Sequence, residues 1–226
     1  MPLHELSDRP GRLTDAVHRE LRAAILGGDL VAGQQLSVPE LSRQLGVSRG
    51  SVREAVLQLV ADGLAEERPR RGVVVATIGA VEVRHIHQIR EVLEGQAARL
   101  CAERPPPGLV ADLEAALVRQ ERAIAAEDGT GYADTDSRFH RLLAEACGNP
   151  MLANLIDRMH LQMQLALTLV AEAPQHRRCG HEELTAVLDG VRAGDPDAAE
   201  AAMRAHIRRT RAAVDTATGP DQDAVR

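Results

Sequence analysis

Apolar residues recur at helical spacing along almost the whole chain, and the interruptions between them divide it into short segments. After a polar arm over residues 1–12, the first segment runs from Thr14 through Val17, Leu21, Ala24 and Ile25 and stops at Gly27-Gly28. A turn at Ala32-Gly33 follows. Ser37 with Glu40 three residues later is a capping-box pattern that opens a short helix carrying Leu41 and Leu45 and broken at Gly46. Ser48 is a candidate N-cap for a third helix through Val52, Ala55, Val56, Leu59 and Val60, stopped by Gly63. Here the period changes. Leu64 to Glu67 and Val73 to Val75 flank Arg68-Pro69-Arg70-Arg71-Gly72, which predicts a β-hairpin. Beyond Thr77 only the helical period remains, predicting helices over 79–103, 108–128, 131–147, 150–172, 181–193 and 196–216, with Pro174 read as one of the breaks.

These elements predict a mainly α protein of two domains. Residues 1–78 form three helices plus a hairpin, a winged helix-turn-helix. Residues 79–218 form an all-α antiparallel bundle, and 219–226 a disordered tail. Composition agrees: the chain is 44% hydrophobic but holds no Trp, one Tyr and one Phe, so its core is built from Leu, Val, Ala, Ile and Met, which favour helices over strands.

Charge narrows the function. The net charge of −6 argues against a protein that coats nucleic acid indiscriminately. It is unevenly spread: residues 1–78 carry ten Arg against ten acids, and residues 79–226 carry seventeen Arg against 23 acids. Every basic residue is Arg, so anion binding here uses the planar guanidinium fork. Three cysteines without paired spacing give neither a disulfide framework nor a zinc ribbon, which suits a reducing cytoplasm. No apolar run is long enough for membrane insertion, so no membrane partner is expected.

A short helix, a turn containing Gly and a second helix with an apolar inner face form the plan in which the second helix enters the major groove. That helix begins Ser48-Arg49-Gly50-Ser51-Val52-Arg53, which sets Arg49 and Arg53 on one face near its N-terminus, where guanidinium groups can read guanine edges or clamp phosphates. The stretch LSRQLGVSRGSVREAVLQLVADGLAEERPRRGVVV, from Leu41 to Val75, resembles the winged helix-turn-helix of the GntR family of bacterial regulators. The resemblance covers about residues 13–76. It implies double-stranded operator DNA as partner, a homodimer on a palindromic site, and DNA contacts at Arg49, Ser51, Arg53, Arg71 and Gly72. Gly50 and Pro39 depart from the family pattern, which implies fewer side-chain contacts per half-site.

In the second half, Asp136 and His140 lie four residues apart on one helix face, the spacing a chelating pair requires. The segments IREVLEGQAARLCA, DTDSRFHRLLAEACGNPMLANLI and LDGVRAGDPDAAEAAMRAHI resemble the FCD sensor domain of the FadR-type branch of this family. The resemblance implies a divalent metal, with zinc first and nickel or manganese as alternatives, and a small carboxylate effector that completes its coordination. The expected ligands are Asp136, His140 and His206. Leu184 occupies the position of the family's remaining His, and His181, three residues earlier, is the stand-in. Arg90 and His160 are candidates for binding the effector carboxylate. The expected function is a DNA-binding transcriptional regulator, a repressor responding to an organic acid. Two alternatives use the same residues: a regulator whose pocket has decayed, suggested by Leu184, and a metal-dependent enzyme, although no general base or nucleophile stands beside the cluster.

Overall fold

Turn-forming residues end the elements where the pattern places them. The computed structural model describes residues 11–166 and 174–218. Among these residues the order is α1 (Gly11–Leu26), α2 (Val38–Leu45), α3 (Arg49–Ala61), β1 (Ala65–Arg68), β2 (Gly72–Val75), α4 (Ala80–Glu103), α5 (Leu109–Ala125), α6 (Gly129–Ala146), α7 (Pro150–Ala166), α8 (Pro174–Ala193) and α9 (Pro196–Thr218). The protein is mainly α, with a single two-stranded antiparallel sheet among the described residues. The first ten residues of the expected arm, the 167–172 end of the expected 150–172 helix and the tail from Gly219 lie outside the described residues. The chain divides into two compact units at Thr77 and Ile78.

In the first unit α1 buries Val17, Leu21 and Ile25 against the Val52, Ala55, Val56 and Leu59 face of α3. Two polar links fix the pair: Thr14 Oγ1 donates to Glu54 Oε2 at 3.0 Å, and His18 Nε2 donates to Asp62 Oδ2 at 2.7 Å. Gly46 closes α2 in the left-handed conformation, with φ 66°, and its N–H donates to Ser42 O. The capping box expected between Ser37 and Glu40 does not form: Ser37 makes no side-chain cap hydrogen bond, and Pro39 in the first turn offers no N–H as an alternative donor. The hairpin pairs Ala65 with Val75 through Arg68 with Gly72, so residues 69–71 form its tip. The turn after α1 does more than connect. Gly33 N donates to Val75 O and Leu36 N to Val73 O, both at 2.9 Å, which lays residues 33–36 along the open edge of β2.

In the second unit α4 packs along α9, α8 against α9, and α5 against both α6 and α8. The shared core includes Leu113, Phe139, Leu143, Ile156, Leu184, Met203 and Ile207. Helix α8 begins at Pro174, two turns before the expected start at His181. Proline suits a helix's first turn, and the polar stretch after it carries no apolar period to reveal it. Close approach of α8 and α9 requires Gly190, since a Cβ there would stand 2.7 Å from Ala199 N.

Candidate functional site

The first unit presents an arginine surface. Ser48 caps α3 by accepting from Ser51 N at 3.1 Å, which places Arg49 in the exposed first turn and Arg53 one turn on, also exposed. At the hairpin tip Arg70, Arg71 and Gly72 are exposed, whereas Arg68 is held by Glu66 at 2.7 Å. Arg70 and Gly72 both take left-handed backbone, with φ 64° and 70°, and Gln35 Nε2 donates to Arg71 O at 2.7 Å, fastening the tip to the body. Ser51 is placed differently from the other expected DNA contacts. It is 8% exposed, and its Oγ lies 3.0 Å from Ser48 Oγ within the cap.

The second unit surrounds a buried carboxylate. Helix α4 brings His87, Arg90 and Glu94 onto its inner face among Val83, Ile86, Ala97 and Ala98. Three donors converge on Glu94: Arg90 Nε at 2.6 Å and His160 Nε2 at 3.1 Å on one oxygen, and His140 Nδ1 on the other. Burial works to raise the Glu94 carboxyl, but Arg90, His140 and His160 outweigh it and hold the group well below the ordinary carboxylate range. An ionised carboxylate only accepts, so the proton of His140 sits on Nδ1. Its Nε2 is buried and without a hydrogen-bond partner among the described residues, and in the neutral ring with its proton on Nδ1 that nitrogen offers a lone pair.

That nitrogen faces Asp136 and His206. One ligand atom from each of the three residues lies within 4.8 Å of the others. His140 Nε2 stands 3.6 Å from Asp136 Oδ2, too far for a hydrogen bond, yet close to the separation of about 3.4 Å between two atoms bound tetrahedrally about 2.1 Å from one ion. His206 is oriented in the same manner as His140: its Nδ1 donates to Glu183 Oε2 at 3.0 Å, leaving Nε2 for the group. Burial raises the Glu183 carboxyl, while hydrogen bonds from His206 and Arg209 lower it further, for a net fall. The donors thus suit a divalent cation, with a carboxylate behind each imidazole.

His181 is not brought into this group. Its Nδ1 donates to Gln120 Oε1 at 3.0 Å, and Gln120 Nε2 donates to Asp136 Oδ1 at 3.3 Å, so His181 reaches the site only through Gln120. Leu184 is fully buried in the core. Arg90 and His160 both line the cavity beside the cluster, Arg90 already neutralised by Glu94. Glu94, Glu183 and Gln120 were not among the expected site residues. Glu94 carries a signal in the sequence, since a charge at the 3-and-4 spacing of an apolar face has to be buried or to break the face. His87 lines the same cavity, and burial, reinforced by Arg90, pushes its imidazole down to about 3, so it is neutral near pH 7.

A winged helix-turn-helix joined to a helical bundle is the build of a DNA-binding transcriptional regulator. The FCD domain family matches residues 85–209 and the gntR family of bacterial regulatory proteins matches residues 13–75. The chain belongs to the GntR family, and is a transcriptional regulator of the GntR type with an FCD domain and a DNA-binding helix-turn-helix. It is 29% identical to the HTH-type transcriptional regulator BphR of Paraburkholderia xenovorans, over 86% of this chain and 82% of that one. It is 27% identical to the transcriptional repressor NanR of Salmonella arizonae, over 90% and 86%. Among solved structures it is similar to E. coli McbR/YncC, with TM-score 0.72 and 25% identity over 90% of this chain and 97% of that one. A GntR regulator from Rhodococcus sp. RHA1 gives TM-score 0.71 and 26% identity over 89% and 96%. These relatives are regulators, not enzymes, and among the described residues no helix is long and apolar enough to cross a membrane.

Proposed function

We propose that the protein is a homodimeric repressor that reads a palindromic operator and responds to a small organic acid held beside a divalent ion in the bundle. The observation that carries the sensing half is His140, whose Nδ1 is committed to Glu94 and whose buried Nε2 is left open toward Asp136 and His206. Asp136, His140 and His206 would hold the ion, zinc suiting this donor set best and nickel or manganese next. When bound, the ion supplies positive charge and open positions for carboxylate oxygens. Glu94 and Glu183 fix the two imidazoles, and Gln120 orients Asp136. The NanR relatives are repressors, which supports the same sign of regulation here.

On the DNA side the exposed Arg49 and Arg53 enter the major groove, and Arg71 with Gly72 meets the backbone beside it. Ser51 acts through the cap that sets the start of α3. A two-fold dimer reads a two-fold site, so loss of one arginine is felt in both half-sites. The test takes a duplex enriched from a random pool by the full chain and titrates it in gel shifts. Arg53→Ala should weaken specific binding about 10–100-fold per half-site, since a bidentate base contact contributes about 1–3 kcal/mol, with circular dichroism unchanged. Undiminished affinity would remove Arg53 from the interface. In parallel, elemental analysis and thermal shifts with small carboxylates report on the sensor: no metal and no shift would mean a decayed pocket.

A further inference from the structure

The cavity next to Asp136, His140 and His206 has a volume of about 500 Å³ and is walled by α4, α6, α7, α8 and α9. That size suits a small organic ligand. Two of its lining groups have no role in the site as described so far. His87 is 1% exposed, and neither ring nitrogen has a hydrogen-bond partner among the described residues. Buried polar groups are almost always paired, so an imidazole facing a cavity with both nitrogens open marks a place where a ligand atom is missing. Arg177, near the start of α8, lines the same cavity and has no ion pair among the described residues. The only other arginine in the lining, among those residues, is Arg90, which Glu94 holds.

Arg177 also sits at the N-terminus of α6, which Asp128 caps by accepting from Gly131 N at 2.9 Å. Its guanidinium lies over Gly129, the first residue of α6, so close that a Cβ at 129 would stand 2.8 Å from Nη2. The guanidinium and the first-turn N–H groups of α6 that Asp128 does not engage both attract an anion. Of the cavity's two aspartates, Asp136 is held by Gln120 within the donor group, and Asp134 is exposed. Neither lies within ion-pair distance of Arg177. Gly129 and Asp136 are seven residues apart on α6, about 10 Å at 1.5 Å per residue. The two anchors therefore lie about two turns apart along one helix, a span that a short dicarboxylate bridges and a single carboxylate does not.

We propose that the effector is a dicarboxylate of about four to six carbons. One carboxylate meets the Asp136, His140 and His206 donor group, the other meets Arg177 at the N-terminus of α6, and His87 hydrogen-bonds an oxygen of the same molecule. This rests on the reading of the cavity as the acid-sensing site, and it adds a second anionic anchor and a specificity residue to that reading.

The test is calorimetry on the zinc-supplemented full chain, comparing succinate, glutarate and adipate with butyrate, valerate and hexanoate. At least one diacid should bind tenfold or more tightly than its monoacid counterpart. Arg177→Gln should abolish that preference and leave monoacid affinity within about twofold. His87→Leu should weaken the diacid tenfold while raising the melting temperature of the ligand-free protein, because an unpaired buried polar group is gone. A purely structural His87 would give a lower melting temperature instead, and that result overturns its assignment. Equal binding of mono- and diacids, or a preference that survives Arg177→Gln, overturns the dicarboxylate inference and leaves acid sensing standing. If none of the six acids binds, both fall together.

Discussion

Glu94→Gln isolates what the buried carboxylate does for His140. The substitution keeps the shape and removes the charge on which Arg90, His160 and His140 converge. An amide offers one accepting oxygen and one donating nitrogen, so it cannot accept from both sides as the carboxylate does. With the oxygen kept by Arg90, the amide nitrogen faces His140 Nδ1 and drives the ring proton to Nε2. The lone pair directed at Asp136 and His206 is then lost, and zinc affinity should fall about 10–100-fold. Removing one partner of a buried ion pair costs about 3–5 kcal/mol, and the retained hydrogen bond puts the expectation near the lower figure, about 3 kcal/mol. For a chain of this size that lowers Tm by roughly 6–12 °C. The folded pKa of Glu94 lies below its unfolded value of about 4.3, so the stability it contributes is complete above that pH and is lost as pH falls through the folded value. The variant should lack this acid limb. The decisive assay pairs chemical denaturation with zinc titration on Glu94→Gln and on the double variant with Arg90→Met. The double variant should regain most of the stability, since no guanidinium is stranded, and none of the zinc affinity, since the tautomer remains wrong. Zinc binding by the single variant at the original strength, or recovery of affinity along with stability, would refute the account of His140.

Gly190→Ala should destabilise the bundle by about 1–3 kcal/mol in a denaturant melt, because its Cβ would stand 2.7 Å from Ala199 N and force α8 and α9 apart. Thiol titration of the native protein should count one rapidly reacting cysteine, Cys179, which is exposed. Cys101 and Cys147 are buried, and burial, with Cys147 nearby, pushes the Cys101 thiol up to about 12, so both should react only after unfolding.

The DNA-binding unit was legible in the sequence because its punctuation is local. Gly46, Ser48 and Gly63 each act within a few residues, and the hairpin is set by a short run around Pro69 to Gly72. What stayed hidden depends on partners distant in the chain. Residues 33–36 are too few and too polar to read as a strand, and their pairing exists only as an isolated bridge, Gln35 with Val74, against β2. Ser51 looked like a free hydroxyl on a reading helix, yet it sits three residues after an N-cap serine, the position whose N–H and hydroxyl the cap engages. In the bundle, the Asp136 and His140 pair was legible from its i, i+4 spacing and His206 from resemblance. Their supports were not. Glu94 contacts His140 across 46 residues of sequence and Glu183 contacts His206 across 23, and no periodicity within one helix encodes either pairing.

Leu184 is where sequence and structure bear on each other most directly. With the fourth ligand position given to an aliphatic side chain buried in the core with Val187, Leu188 and Phe139, that turn of α8 reaches the donor group only through Glu183, which accepts from His206. His181, a turn earlier, instead holds Gln120, and Gln120 holds Asp136, so the helix contributes orientation where a ligand was expected. Three donors hold an ion less firmly than four and leave more of its coordination to be completed from the cavity. An acid that completes it gains more from the ion, and the ion gains equally from the acid, because coupling between two bound species is reciprocal. Under the proposed function, the substitution that looks like decay in the sequence would make ion and effector depend on each other, and would tie the pocket's response to metal supply as well as to acid.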